Sequence, residues 1–312
     1  MSNVSNAPIR AYPFPDNLKQ LLITRHAINI KIRSFFTEAG YVEVETPCRV
    51  KCPGIDPYID AIPAGNGYYL ATSPELQMKR LMALGIPRIY QITHAFRSNE
   101  HGSRHNSEFA LLEWYRTGTD YWGIMDETEQ LLLYLMVGDS DDQDITLIHD
   151  VPFQRMCVDE LFRERAGWEP SKAWDEDRYF FDWVNKIDPY LATMPVIFIY
   201  DFPAPLSSLS KLKDTDHLVC ERFELFIRGF EIANAFTELT DPLEQEARFK
   251  KALRKRRMMK KEEYTIDEKF LDALKGGIPA CSGVALGIDR LIMALYGYSE
   301  IGMVQAFPET RL

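Results

Sequence analysis

The sequence predicts an α+β fold: a mainly antiparallel sheet flanked by helices. Three observations predict it. Apolar and polar residues alternate along Leu218–Ile227 and Phe230–Leu239, which meet at Gly229 as a hairpin. Other strand-like segments are interspersed with helical ones without a strict βαβ repeat. The chain has 312 residues, 46% apolar and 26% charged, which is an ordinary soluble balance and enough to bury a large core.

The elements follow in order. Pro13 and Pro15 lead to Asp16 as an N-cap, and a helix runs from there to about Ala39. Leu18, Leu22, Ile28, Ile32, Phe35 and Phe36 give it a broad apolar face, and Gly40 ends it. Tyr41–Val44 reads as a strand stopped near Pro47. Ser73-Pro74-Glu75 starts a second helix, with Ser73 as cap and Glu75 at the positive end of the dipole. Arg88–Phe96 and Glu108–Thr117 read as strands around a polar loop, 97–107. A helix covers Trp122–Val137, and 138–144 is an acidic connection. Residues 145–190 are mixed and aromatic-rich, and they receive no assignment. Pro195–Asp201 is a buried strand. Pro242–Glu263 is a strongly basic helix, and Gly283–Gly287 is a strand leading into a helix over Ile288–Tyr296.

Composition excludes several classes. No apolar run reaches membrane-span length, and the start has no apolar signal core, so a cytoplasmic protein is expected. Five scattered cysteines fit a reducing compartment, and Cys48 and Cys52 read as unpaired thiols rather than half a zinc site. No G-x-x-x-x-G-K-[ST] loop and no G-x-S-x-G elbow occurs. The net charge of −10 does not favour a polyanionic partner. The basic run from Arg248 to Lys261 reads either as a solvated helix face or as a docking surface for an acidic macromolecule, and both readings stay open.

Three segments carry chemistry. Arg97 stands at a strand end, where a guanidinium offers a fork for phosphate or carboxylate, and Phe109 on the returning strand offers a ring to stack on a base. Glu221, Glu224 and Glu231 fall on paired strands, where carboxylates repel unless a cation answers them; Mg²⁺ with ATP phosphates meets that need. Gly283 and Gly287 permit close approach of a ligand, with Asp289 and Arg290 following at a helix start.

Together these segments resemble the three signature motifs of class II aminoacyl-tRNA synthetases. Residues 33–47 (RSFFTEAGYVEVETP) are similar to the first, 96–113 to the second and 283–293 (GVALGIDRLIM) to the third. TSPELQMKRL, RHNSEFALLEWY and EIANAFTEL resemble the amino-acid pocket of lysyl-tRNA synthetases. The resemblance implies that Glu238, Glu113 and Tyr115 hold an ε-ammonium. Ser73 and Glu75 lie near the α-amino group, Asn234 and Arg97 hold the carboxylate, and Phe236 packs on the methylenes. It implies Arg97 on the α-phosphate of ATP and Arg290 on the γ-phosphate as the catalytic pair. Glu100, His105 and Asn106 line the second-motif loop, Phe109 stacks on adenine, and Glu224 and Glu231 hold Mg²⁺.

Two departures refine the resemblance. The first helix starts near residue 16, so 1–312 is expected to be one catalytic domain without an N-terminal anticodon-binding OB barrel. Ala285 stands where lysyl-tRNA synthetases have glycine, and an added methyl reshapes a tight pocket. Both features resemble the free-standing paralogues of the family that join (R)-β-lysine to elongation factor P. That resemblance implies lysine or (R)-β-lysine as substrate, elongation factor P as partner, no tRNA, no membrane and a homodimer. A minimal enzyme charging tRNA and an inactive regulatory paralogue are the alternatives.

Overall fold

The structure is a computed structural model that describes residues 18–136 and 152–311. The expected cap at Asp16 and the connection over 138–144 lie outside the described residues. The helices are α1 (Leu18–Glu38), α2 (Glu75–Met82), α3 (Tyr121–Met136), α4 (Val158–Ala166), α5 (Glu176–Asp182), α6 (Asp188–Leu191), α7 (Pro242–Met258), α8 (Glu268–Gly276) and α9 (Ile288–Leu295). The strands are β1 (Val42–Glu43), β2 (Arg49–Val50), β3 (Tyr69–Leu70), β4 (Arg88–Phe96), β5 (Glu108–Thr117), β6 (Gln154–Cys157), β7 (Val196–Pro203), β8 (Leu212–Lys213), β9 (Asp216–Ile227), β10 (Phe230–Thr237) and β11 (Cys281–Gly287).

Nine strands form one sheet in the order β1-β4-β5-β11-β10-β9-β7-β6, with β8 paired to β9. Only the outer pairs β1–β4 and β6–β7 are parallel. The expected α+β class and antiparallel sheet are therefore observed. Strands β4 and β5 have the bounds that alternation predicts.

One sheet face is covered by α1, α3 and α9. Leu112, Trp114, Phe223, Val284 and Leu286 point into that core, together with Ile32, Phe36 and Leu291. Each such side chain contributes about 1.5–3 kcal/mol by leaving water. Helix α1 ends as expected: Gly40 is left-handed at φ 75°, and Gly40 and Tyr41 donate back to the carbonyls of Thr37 and Phe36. Its apolar face differs from expectation in one place, since Leu21 is buried and Leu22 is half exposed.

The opposite face is covered at its two ends only. At one end α2, α7 and α8 pack over Ile89 and Tyr115. At the other, α4 and α5 join Ile197, Ile199 and Phe226 in an aromatic cluster with Trp168 and Tyr179. The unassigned aromatic stretch thus supplies one wall of the site. Between the two ends lies a cavity of about 1330 Å³.

The basic helix ends at Met258, earlier than expected. Arg256 is fully buried and donates to the Glu262, Asp56 and Ile59 carbonyls and to Asp60, which pulls the chain back on itself. Lys260 takes up the reversal at φ 55°.

Candidate active site

The register of the central strands places the chemistry. One row across the sheet runs Gln91, Glu113, Ala285, Asn234, Glu224. The next runs Ile89, Tyr115, Gly283, Phe236, Arg222. Their strand neighbours Trp114, Val284 and Ala235 belong to the covered core. Period-two alternation therefore turns both rows to the open face.

Glu113, Glu238, Tyr115 and Lys79 are all buried. Glu113 accepts hydrogen bonds from Tyr115 Oη at 2.6 Å and Ser73 Oγ at 2.8 Å. Ser73 Oγ in turn accepts from the Glu75 amide at 3.0 Å, but the helix begins at Glu75 with Pro74, not the expected Ser73, in the cap position. Lys79, one turn further along α2, pairs with Glu75 at 2.7 Å and with Glu238. Its ammonium also sits 5.1 Å from the centre of the Phe236 ring. Burial, followed by the Glu75 charge, raises the Glu113 carboxyl to about 7. Burial alone would lower the Lys79 ammonium, but the carboxylates of Glu238 and Glu75 more than offset it and hold it raised. Glu238 Oε1 is buried and accepts no hydrogen bond.

Gly283 makes this packing possible. A Cβ there would run into the Tyr115 ring and stand 2.7 Å from Glu238 Oε1. The glycine therefore makes room for two pocket side chains rather than for a ligand. A Cβ on Gly287 would meet nothing closer than 3.9 Å, so crowding does not require that glycine. Asp289 is buried and accepts from Arg25, the Ala110 amide and Gln305, which makes it a brace and not a ligand.

The residues expected to meet ATP lie on and beside the cavity. Arg97 reaches back to the Thr72 carbonyl at 3.4 Å, pairs with Glu100 at 3.6 Å and covers the Phe109 ring at 5.1 Å. It thus stands between the amino-acid pocket and the ring expected to stack a base. Arg290 donates to the Glu231 carbonyl at 3.2 Å, meets its carboxylate at 3.4 Å and donates to the Arg104 carbonyl at 3.3 Å. His105 lines the same cavity. Burial, and then the Arg290 charge, push its imidazole below the ordinary value.

Glu224 and Glu231 face the cavity with Arg290. Burial lifts the Glu224 carboxyl to about 7; Arg222 opposes the lift and Glu231 adds to it. Among the described residues no group of three or more His, Cys, Asp or Glu is arranged to hold a metal. Two carboxylates facing a cavity fit Mg²⁺ only when phosphate oxygens complete its shell. Glu221 does not join them: it alternates with Arg222 onto the other face and lies 3.9 Å from Lys211.

A family model described as tRNA synthetases class II (D, K and N) matches residues 12–311. The chain belongs to that family. Curated relatives share more than the fold. Proteins named elongation factor P–(R)-β-lysine ligase from Hamiltonella defensa and Yersinia enterocolitica are each 38% identical, over 93% of this chain and 95% of theirs. A protein of the same name from Salmonella schwarzengrund is 37% identical over the same shares.

Against that class II frame, most expected residues converge. Ser73, Glu75, Glu113, Tyr115, Phe236 and Glu238 form one pocket, with Ala285 and Asn234 in the row beside it. Arg97, Glu100, Glu231 and Arg290 gather around His105, with Glu224 joined to Arg222 at 2.6 Å and to Asn234 at 3.3 Å. Asn106 is engaged elsewhere: its amide donates to Gln305 at 2.9 Å and to the Glu108 carbonyl, bracing the loop. Two residues were not expected. Arg222 bridges Asn234 and Glu224 and stacks on Phe202. Lys79 bridges Glu75 and Glu238. The signals were present, since Arg222 alternates in phase with Glu224 and Lys79 lies four residues after Glu75.

The basic run is largely answered within the chain. Arg248, Lys250, Lys255, Arg256, Arg257 and Lys261 pair with Glu244, Glu246, Glu176, Asp60, Glu263 and Asp60. Lys251 and Arg254 line the cavity mouth with no ion pair among the described residues. All five cysteines are free, and burial pushes Cys52 up to about 11. No helix among the described residues is long and apolar enough to cross a membrane.

Proposed function

We propose that the chain activates (R)-β-lysine or lysine with ATP and transfers the acyl group to a lysine side chain of elongation factor P in the cytoplasm. The observation that carries this is the pocket of buried Glu113, Glu238 and Tyr115 with the partly exposed Glu75, in which Glu113 shares a sheet row with Glu224, a wall of the cavity that Glu231 and Arg290 also line. Buried carboxylates demand cations, and a diamino acid brings two. The names of the curated relatives agree with that chemistry.

The residues divide the work. Glu113, Glu238 and Tyr115 hold the ε-ammonium, Glu75 takes the other amino group, and Asn234 and Arg97 hold the carboxylate. One carboxylate oxygen attacks the α-phosphorus of ATP. The bond from that phosphorus to the bridging oxygen breaks, and pyrophosphate leaves. Arg97 and Arg290 neutralise the charge that develops on the phosphates; positioning and electrostatics lower the barrier, with no protein nucleophile. Mg²⁺ held by Glu224 and Glu231 would neutralise phosphate charge when bound. In the second half-reaction a lysine amine attacks the acyl carbon and AMP leaves.

The test is ATP–pyrophosphate exchange with lysine and (R)-β-lysine, followed by transfer to purified elongation factor P or total tRNA. Exchange with label moving to the protein is expected. Label moving to tRNA would make the chain a minimal synthetase, and no exchange with any lysine isomer would make it a non-catalytic paralogue. Arg290→Ala should slow exchange by about a hundredfold or more, the scale of losing one transition-state donor.

A further inference from the structure

The amino-acid pocket contains a cation of its own. Lys79 is only 3% exposed at its side chain, and its ammonium lies between Glu75 and Glu238. Those two carboxylates come from different parts of the fold, the first turn of α2 and the residue just after β10. Lys79 thus joins the anchor for one substrate amino group to the anchor for the other through two ion pairs. Glu113 stands across from this bridge, engaged by hydroxyls and by no cation. Burial favours the neutral form of both Glu113 and Glu238 in the empty pocket, and the two ammonium groups of a diamino acid would favour their carboxylates while the substrate carboxylate goes to Arg97.

We propose that Lys79 is a positioning residue that sets amino-acid specificity: by bridging Glu75 and Glu238 it fixes the spacing between the two amino-group anchors and leaves the pocket charge matched to two ammonium groups. This rests on the amino-acid reading of the pocket given above. A lysine in this role adds no contact to the reacting atoms. It favours one chain length over another, because anchors held by the bridge do not move to meet a shorter or longer diamino acid. It also selects for charge, because a substrate with a neutral side chain leaves one carboxylate buried and unanswered.

The test compares wild type, Lys79→Met and Lys79→Arg in ATP–pyrophosphate exchange with (R)-β-lysine, lysine and ornithine, from pH 6 to 9. Unchanged KM for ATP establishes that each variant is folded around its nucleotide site. For Lys79→Met the expected result is a rise of about tenfold or more in lysine KM, a smaller effect on kcat, and a loss of discrimination against ornithine. Its lysine KM should also fall with pH across a higher range than in wild type, since one carboxylate then keeps its proton. Lys79→Arg should recover the charge match, and so the wild-type pH range, with altered length preference. If Lys79→Met binds ATP normally and keeps wild-type lysine KM, ornithine discrimination and pH profile, the role assigned to Lys79 is wrong. If wild type itself exchanges with no diamino acid, the reading of the pocket fails first, which is a different result.

Discussion

At the scale of single residues, the pocket is a problem in charge burial. Burial beside Glu75 lifts the Glu113 carboxyl to about 7, with the Lys79 ammonium opposing the lift only in part. A bound ε-ammonium would favour the carboxylate and lower that value. Binding then releases a proton below about pH 7 and none above it. Lysine KM, measured by exchange at saturating ATP, should be flat above pH 7 and rise as pH falls, approaching about tenfold per unit well below it. Glu113→Gln should raise KM and flatten this slope. A wild-type profile that stays flat down to pH 5.5 would remove Glu113 from the ammonium site. Gly283 shows the complementary constraint: it is needed for the volume of Tyr115 and Glu238, not for a turn.

At the scale of elements, alternation made much of the site legible. Glu113 and Tyr115 could be placed on one face of β5, and Asn234 and Phe236 on one face of β10, because a strand has period two. What alternation could not give was Glu231. A bulge between Glu231 and Ala233 lets Ile232 and Ala233 both turn to the core, and it brings Glu231 round beside Arg290. Lys79 was hidden for a related reason: a lysine in an amphipathic helix reads as solvent-facing until the residue just after β10, Glu238, is known to meet it. Within the unassigned stretch, the described residues 152–190 were illegible because their aromatic rings pack on each other rather than along a single face. Asn106, expected to line the second-motif loop, is held there by the C-terminal segment. That segment holds the second-motif loop at several points: the Ile301 amide on the Ser103 carbonyl, Gln305 on Asn106 and Glu309 near His101 and Ser107. Gln305→Ala should therefore loosen the loop that carries Arg97 and His105. The Gln305 side chain makes three hydrogen bonds, with Asn106, the Glu108 carbonyl and Asp289, and at about 0.5–1.5 kcal/mol each their loss predicts a rise of roughly tenfold or more in ATP KM. Lysine KM should hardly move, and an equal rise in both would mean that the segment supports the whole fold instead of the loop.

At the scale of the whole molecule, the surface leaves one apolar region unexplained by the site. Ile23 and Ile30 lie seven residues apart on α1, hence on one face, and each is 51% exposed; Leu22 is 45% and Val42 on β1 is 48% exposed. The inner face of the same helix carries Leu21, Ile28, Ile32 and Phe36 into the core, so α1 is apolar on two sides. A helix with that pattern is buried on both. In class II synthetases the first-motif helix and strand meet their twofold mate, and we propose the same homodimer here. In an isologous contact each substitution acts twice. Burying an isoleucine is worth about 1.5–3 kcal/mol, and placing a carboxylate there adds the cost of an unpaired buried charge. Ile23→Asp with Ile30→Asp should therefore convert a dimer into a monomer at micromolar concentration in sedimentation equilibrium, while circular dichroism retains the native helix content. Asp substitutions that leave a dimer intact would move the interface off this face. A wild type that sediments as a monomer would leave the exposed isoleucines for another partner.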